Sequence, residues 1–309
     1  MMQRTAILCE LLGTRYPLMQ GGMAHISDAR LAAAVSNGGG LGIISAAAGD
    51  PVQLAEQIDL ARSLTDKPFG VNIMFRSNNI DAIAKVVAEK KVAVVTTGAG
   101  SPAAYIPMWK EAGVKVIPVI STAAMAQLMQ KSGADAVVAE GTESGGHVGE
   151  MTTMALVPQV CDAVQIPVIA AGGIADGRGI AAAVMLGACG VQIGTRFLAA
   201  EECNIHADYK ARLLKAKDTS TVVTGKRLGH PVRSLKSPFS RAYAQAEYTD
   251  ISDEDLEAMA VGTLRAAVMD GDAKRGCFLA GQISGMVNKE QPAAEMIEEM
   301  MTQAAQLLG

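Results

Sequence analysis

The 309-residue chain reads as an α/β protein, a (β/α)8 TIM barrel with a small lid subdomain inserted after the eighth strand. Three observations predict this. Eight short apolar or β-branched runs recur up to residue 197, segments of helical composition and spacing separate them, and many of those segments close on glycine.

The runs occupy residues 17–23, 41–45, 69–74, 92–98, 115–120, 135–141, 167–174 and 190–197. Nearly continuous apolar strands imply a parallel sheet covered by helices, and eight strand–helix units imply closure into a barrel. The predicted helices lie at 28–37, 51–64, 80–89, 103–112, 122–132, 153–164 and 177–186. Asn37-Gly38-Gly39, Ala112-Gly113, Ser132-Gly133 and Leu186-Gly187 supply the left-handed turn that an α-to-β return uses. A doubly wound open sheet is the alternative, but no GxGxxG follows the first run, which ends Gln20-Gly21-Gly22-Met23. Residues 1–207 are thus expected to form the barrel and 208–251 the lid. Residues 252–309 carry helices at 253–269 and 293–308 that complete the barrel wall or form a dimer contact, the first capped by Ser252.

Half of the residues are hydrophobic but only 4% are aromatic, so the core is built from aliphatic side chains and the 17 methionines. No apolar run reaches the roughly 18 to 20 residues a membrane span needs, and the N-terminus lacks a signal peptide's apolar core, so a cytoplasmic protein without a membrane partner is expected. Five scattered cysteines (Cys9, Cys161, Cys189, Cys203, Cys277) form no CxxC pair and no metal-ligand cluster with histidine, and read as reduced thiols with no metal site.

Chemistry in such barrels sits at the C-terminal ends of the strands. There the stretch AEGTESGGHVG, residues 139–149, places His147 in a glycine-rich loop directly after the sixth run. Its glycines permit close backbone approach, so His147 can face a ligand, with Gly145 and Gly146 beside it. AAGGIADGRG, residues 170–179, and Gly194-Thr195 end the seventh and eighth runs, where barrels of this type bind phosphate on bare backbone N–H groups. FMN, a sugar phosphate or pyridoxal phosphate would suit such a rim. The last needs a Schiff-base lysine at the C-terminal end of a strand, and no run carries one there. A flavin ring would lie across the mouth near Gly22, Met23 and Asn72.

The segments 16–44, 64–74, 94–102, 133–154, 166–179, VQIGTRF, GHPVRSLKSP and AGQISGMV, above all the conjunction of VNIM, TTGAG and AEGxExGGHxG, resemble the FMN-dependent enoyl-acyl-carrier-protein reductase II proteins within the nitronate monooxygenase-like group of flavin barrels. The resemblance implies that Gly22, Met23, Asn72, Glu140, Gly172, Gly173, Gly194 and Thr195 line FMN, that His147 is the catalytic histidine facing the flavin, and that the protein is a homodimer. It implies NADH or NADPH as reductant, acyl carrier protein as the partner bearing enoyl chains, and possible activation by a monovalent cation. Ser144 replaces an alanine of related reductases and leaves the loop's detailed contacts open.

On the reductase reading, His147 donates a proton, or a hydrogen bond to charge developing on the thioester oxygen; the second is favoured. On the monooxygenase reading the same histidine is a base acting on a nitronate, and no nucleotide is needed. A third reading is a flavin- or phosphate-binding barrel without turnover. The feature that separates them lies outside the strands: residues 210–241 hold nine basic residues and one acid, Asp218, against 18 basic and 30 acidic elsewhere. Such a segment attracts anionic partners, here an acidic carrier protein or nucleotide phosphates. His230 and Arg233 within it, and Ser144 in the histidine loop, are candidate nucleotide or substrate contacts. The basic segment lacks interleaved aromatics, which argues against nucleic acid. His25 and His206 have no evident role.

Overall fold

The computed structural model describes residues 2–47, 49–76 and 79–309. Eight parallel strands form one sheet: β1 (Leu18–Gln20), β2 (Gly42–Ser45), β3 (Phe69–Met74), β4 (Val94–Gly98), β5 (Lys115–Ile120), β6 (Val137–Glu140), β8 (Val168–Ala171) and β9 (Gly190–Ile193). A two-residue strand, β7 (Gly146–His147), falls between β6 and β8 in the chain. The sheet runs β1-β9-β8-β6-β5-β4-β3-β2, and a parallel bridge from Met19 to Leu41 joins its ends, closing the (β/α)8 barrel.

Each strand is short because its neighbours on both sides satisfy its backbone, while its side chains alternate between two dry environments. Met19, Ile43, Val94, Ile117, Val138 and Ile169 fill the interior. Outward residues such as Val71, Val95 and Val116 pack against Ile58, Ile83 and Trp109 of the surrounding helices. Gly39, Gly113, Gly133 and Gly187 all adopt positive φ where helices turn back into strands.

Several elements differ from the sequence reading: the first and seventh barrel strands stop at Gln20 and Ala171, not Met23 and Ile174, because the glycine loops that ring the mouth begin there. The helix Met2–Leu12 has no counterpart in that reading; Leu8 and Leu12 share the interior cluster, and a Cβ on Gly190 would meet Leu8 at 2.4 Å, so this helix packs on the barrel's N-terminal end. The eighth barrel strand stops at Ile193, not Phe197, because Thr195–Ala199 turns into a 3-10 helix. The segment 253–269 is two helices, Asp253–Ala260 and Thr263–Asp270, separated where Gly262 takes φ +75°. Ser252 caps the first, accepting from Asp255 N–H at 3.0 Å.

After β9 come the helix Ala207–Leu214, the antiparallel pair β10 (Thr221–Thr224) and β11 (Val232–Leu235), and the helix Pro238–Ala246. The final helix, Ala293–Leu308, lies against Gly177–Met185 and Ala29–Asn37, so close that a Cβ on Gly177 would meet Ala304 N at 2.4 Å. It occupies the wall between the last and first helices. Among the described residues no helix is long and apolar enough to cross a membrane.

Candidate active site

The C-terminal strand ends surround a cavity of about 800 Å³. Gly22, Met23, Asn72, Glu140, Ser144, Gly145, Gly146, His147, Gly172, Gly173, Gly194 and Thr195 all line it; His230 and Arg233 do not.

On one side Gly22 lies against Asn72, where a Cβ would fall 2.3 Å from that of Asn72. Thr96 Oγ1 donates to Asn72 Oδ1 at 2.9 Å, which orients the amide and leaves its N–H donors for a ligand. Gln192, 9% exposed, also lines the cavity from β9. Met23, Ile174, Ile193 and Leu198 add apolar surface.

The rim after β8 and β9 is built from backbone. Gly172 and Gly173 take φ +90° and +73°, which side chains resist, and a Cβ on Gly172 would sit 2.7 Å from Gly141 O. Among the described residues the N–H groups of Gly173, Gly194 and Thr195 have no acceptor. Thr195 Oγ1 accepts from Gly281 N–H at 2.8 Å, tying this rim to the segment 279–283, which also borders the cavity. Unpaired N–H groups on bare glycines form the cradle a phosphate requires, and with the apolar wall and the free amide of Asn72 this donor set fits FMN.

The histidine loop is held at several points. Thr142 N–H donates to Met151 O at 2.7 Å and Ser144 N–H to Gly141 O at 3.1 Å. Glu143 accepts from Thr153 N–H at 3.0 Å, capping the helix Thr153–Ala163 and bracing the loop against it. The strand β7 then pairs antiparallel with β11, His147 opposite Val232 and Gly146 opposite Arg233. Arg233, 7% exposed, donates Nε and Nη2 to Thr142 O at 3.1 and 3.0 Å and Nη1 to Thr221 Oγ1 at 3.2 Å. Its guanidinium is therefore spent on holding the loop.

Two groups here are displaced from their ordinary ionisation. Burial pushes the Glu140 carboxyl up to about 7; its accessible surface faces the cavity. The neighbouring Ser144 hydroxyl acts in the opposite direction, although it lies outside full hydrogen-bond geometry and has no partner among the described residues. Desolvation lowers the His147 pKa, helped by the nearby Arg76 guanidinium, so its imidazole is neutral at neutral pH.

Arg76, His25 and the segment 279–283 border the cavity without having been singled out as site residues. Arg76 follows β3 in a stretch with no motif of its own; its Nη2 lies 2.6 Å from His230 Nε2. His25 takes φ +60° in the loop after β1, and its pKa is lowered by burial and by Arg265. His206 caps the helix Ala207–Leu214 by accepting from Asp208 N–H at 3.2 Å. The basic run is partly consumed inside the fold: Lys210 pairs with Glu290, Arg212 stacks 4.6 Å over the Phe278 ring, and Arg227 binds Thr249 O, Ile251 O and Asp253. Lys215, Lys217, Lys226, Lys236 and Arg241 remain exposed.

The family model described as nitronate monooxygenase matches residues 5–86 and 75–303. The structure of FabK from Thermotoga maritima is 48% identical, with a TM-score of 0.96 over 98% of this chain and 96% of that one. The nitroalkane oxidase of Streptomyces ansochromogenes is 30% identical, with a TM-score of 0.87 over 97% and 98%. The Mycobacterium tuberculosis protein named (3aS,4S,5R,7aS)-5-hydroxy-7a-methyl-1-oxo-octahydro-1H-indene-4-carboxyl-CoA dehydrogenase is 34% identical over 96% of this chain and 95% of its own length.

Proposed function

Since the chain belongs to the nitronate monooxygenase family and is a flavin-dependent oxidoreductase, we propose that it is an FMN-dependent enoyl-acyl-carrier-protein reductase, reducing trans-2-enoyl thioesters with NADH or NADPH in fatty acid elongation. The observation that carries the reading is the likeness to FabK, an enoyl-acyl-carrier-protein reductase II, at 48% identity along nearly the whole chain. A relative named for a carboxyl-CoA substrate supports thioester chemistry in the same family. Acyl carrier protein as donor of the enoyl chain, a second copy of this chain as partner, and a monovalent cation as activator belong to the same proposal.

FMN would be held by the N–H groups of Gly173, Gly194 and Thr195 at its phosphate, with Gly22, Met23, Asn72 and Glu140 along the rest of the cavity. Bound there, it would supply the redox chemistry, hydride transfer between the nucleotide and the enoyl substrate. The protein positions and polarises. His147, held neutral, keeps one ring N–H to donate to the thioester oxygen as negative charge builds there. The pairing of β7 with β11 keeps that ring in place.

A second reading, nitronate oxidation with His147 as base, is favoured by the likeness to the nitroalkane oxidase. The two separate in one experiment. The purified protein is expected to be yellow and to oxidise NADH or NADPH anaerobically when crotonyl-CoA is added. A yellow protein reduced by neither nucleotide, yet consuming a nitronate in air, overturns the reductase reading.

A further inference from the structure

The cavity mouth carries a cation, Arg76, that hydride transfer does not use. Arg76, two residues past β3, is exposed and lines the cavity, with Nη2 2.6 Å from His230 Nε2. A guanidinium keeps its protons, so Nε2 accepts and the His230 ring carries its proton on Nδ1. His230 is in turn anchored to the catalytic loop, since Val148 N–H donates to Pro231 O at 3.0 Å and Val232 stands opposite His147. Three loops thus bring Arg76, His230 and His147 to one edge of the mouth.

No carboxylate answers them. Among the described residues Arg76 makes no ion pair. The acids on the cavity wall are Glu140, at the end of β6, and Glu143, which is engaged by Thr153. His230 orients the guanidinium through one nitrogen and leaves the other donors of the fork free. A planar fork with parallel N–H groups matches two oxygens of a phosphoryl group better than any other common anion except a carboxylate.

We propose that Arg76, oriented by His230 as its positioning residue, binds a phosphoryl group of a substrate entering this cavity. The assignment deepens the reductase reading and rests on it: a nicotinamide nucleotide and a thioester on a phosphopantetheine arm both carry phosphoryl groups, and a nitronate carries none.

The test compares the wild-type holoenzyme with Arg76→Ala, Arg76→Lys and His230→Gln. NADH and NADPH are varied against crotonyl-N-acetylcysteamine, which has no phosphate, and crotonyl-CoA is varied against saturating nucleotide. Arg76→Ala is expected to raise KM for a phosphorylated substrate about tenfold, the scale of one charge-assisted hydrogen bond, with a smaller effect on kcat. Arg76→Lys should recover part of the loss, and His230→Gln should give an intermediate rise. A rise with the nucleotides assigns the phosphoryl group to the reductant; a rise confined to crotonyl-CoA assigns it to the thioester carrier. Unchanged KM for every phosphorylated substrate, or an equal rise for the phosphate-free thioester, overturns the site. If the wild type oxidises neither nucleotide, calorimetric titration with inorganic pyrophosphate decides: binding lost in Arg76→Ala keeps the site while the reductase reading falls, and no wild-type binding removes both.

Discussion

Arg233 donates two hydrogen bonds to the carbonyl oxygen of Thr142, 91 residues earlier in the chain. This contact fastens the loop after the sixth barrel strand to the segment after the last one. His147 inherits its position from that fastening, because β7 and β11 pair immediately beyond it.

Arg233→Ala should therefore act through the loop. It removes three donors and leaves Thr142 O without them, costing about 1–3 kcal/mol of stability. Thermal unfolding should register that loss, and steady-state reduction of crotonyl thioesters should fall further than Tm alone explains. A variant with normal turnover would show that the loop holds itself.

His147→Ala should keep flavin and lose most thioester reduction, by about two to three orders of magnitude in kcat if the ring stabilises developing charge. The visible spectrum and steady-state turnover of the same sample measure both. Wild-type turnover in this variant removes His147 from the chemistry.

Gly22→Ala places a methyl group where Asn72 already sits, 2.3 Å from its Cβ. The backbone at Gly22 or the Asn72 side chain must shift, costing about 1–3 kcal/mol as overpacking does. Flavin content on purification should drop sharply, and unchanged flavin content would show that the site absorbs the methyl group.

Glu140 makes the flavin-free protein sensitive to pH in a defined direction. Its carboxyl titrates near 7 in the fold against an ordinary value of 4.5, so between those values the folded state binds more protons than the unfolded state. Stability from this group is present at pH 4.5 and is lost as pH rises through 7, by at most about 3 kcal/mol. Denaturant unfolding of the flavin-free wild type and Glu140→Gln at pH 5 and pH 8 should show the variant relatively more stable at the higher pH. A difference independent of pH would mean that Glu140 ionises normally.

Eight strands were legible because each is a short apolar run bounded by glycine or polar residues, a signal confined to a few neighbours. The rim glycines were legible for the same reason. Local signals misled where a local choice met tertiary demand: the eighth run reads on through Thr195-Arg196-Phe197, yet Thr195 turns away to accept from Gly281 N–H. The break at Gly262 was open to a reading that gave its glycine more weight. The strand β7 left no trace, since two residues carry no period and their partners stand at 232 and 233.

By itself the sequence determined the barrel and the loops that ring its mouth, since strand period, helix spacing and glycine turns act between near neighbours. Only the tertiary structure decided what the basic segment does. It turned Arg233 inward to Thr142, paired Lys210, Arg212 and Arg227 within the fold, and brought His230 beside Arg76 from 154 residues away. Charge along a chain states how many ionic groups are available; which of them find partners depends on distances that exist only once the chain has closed on itself.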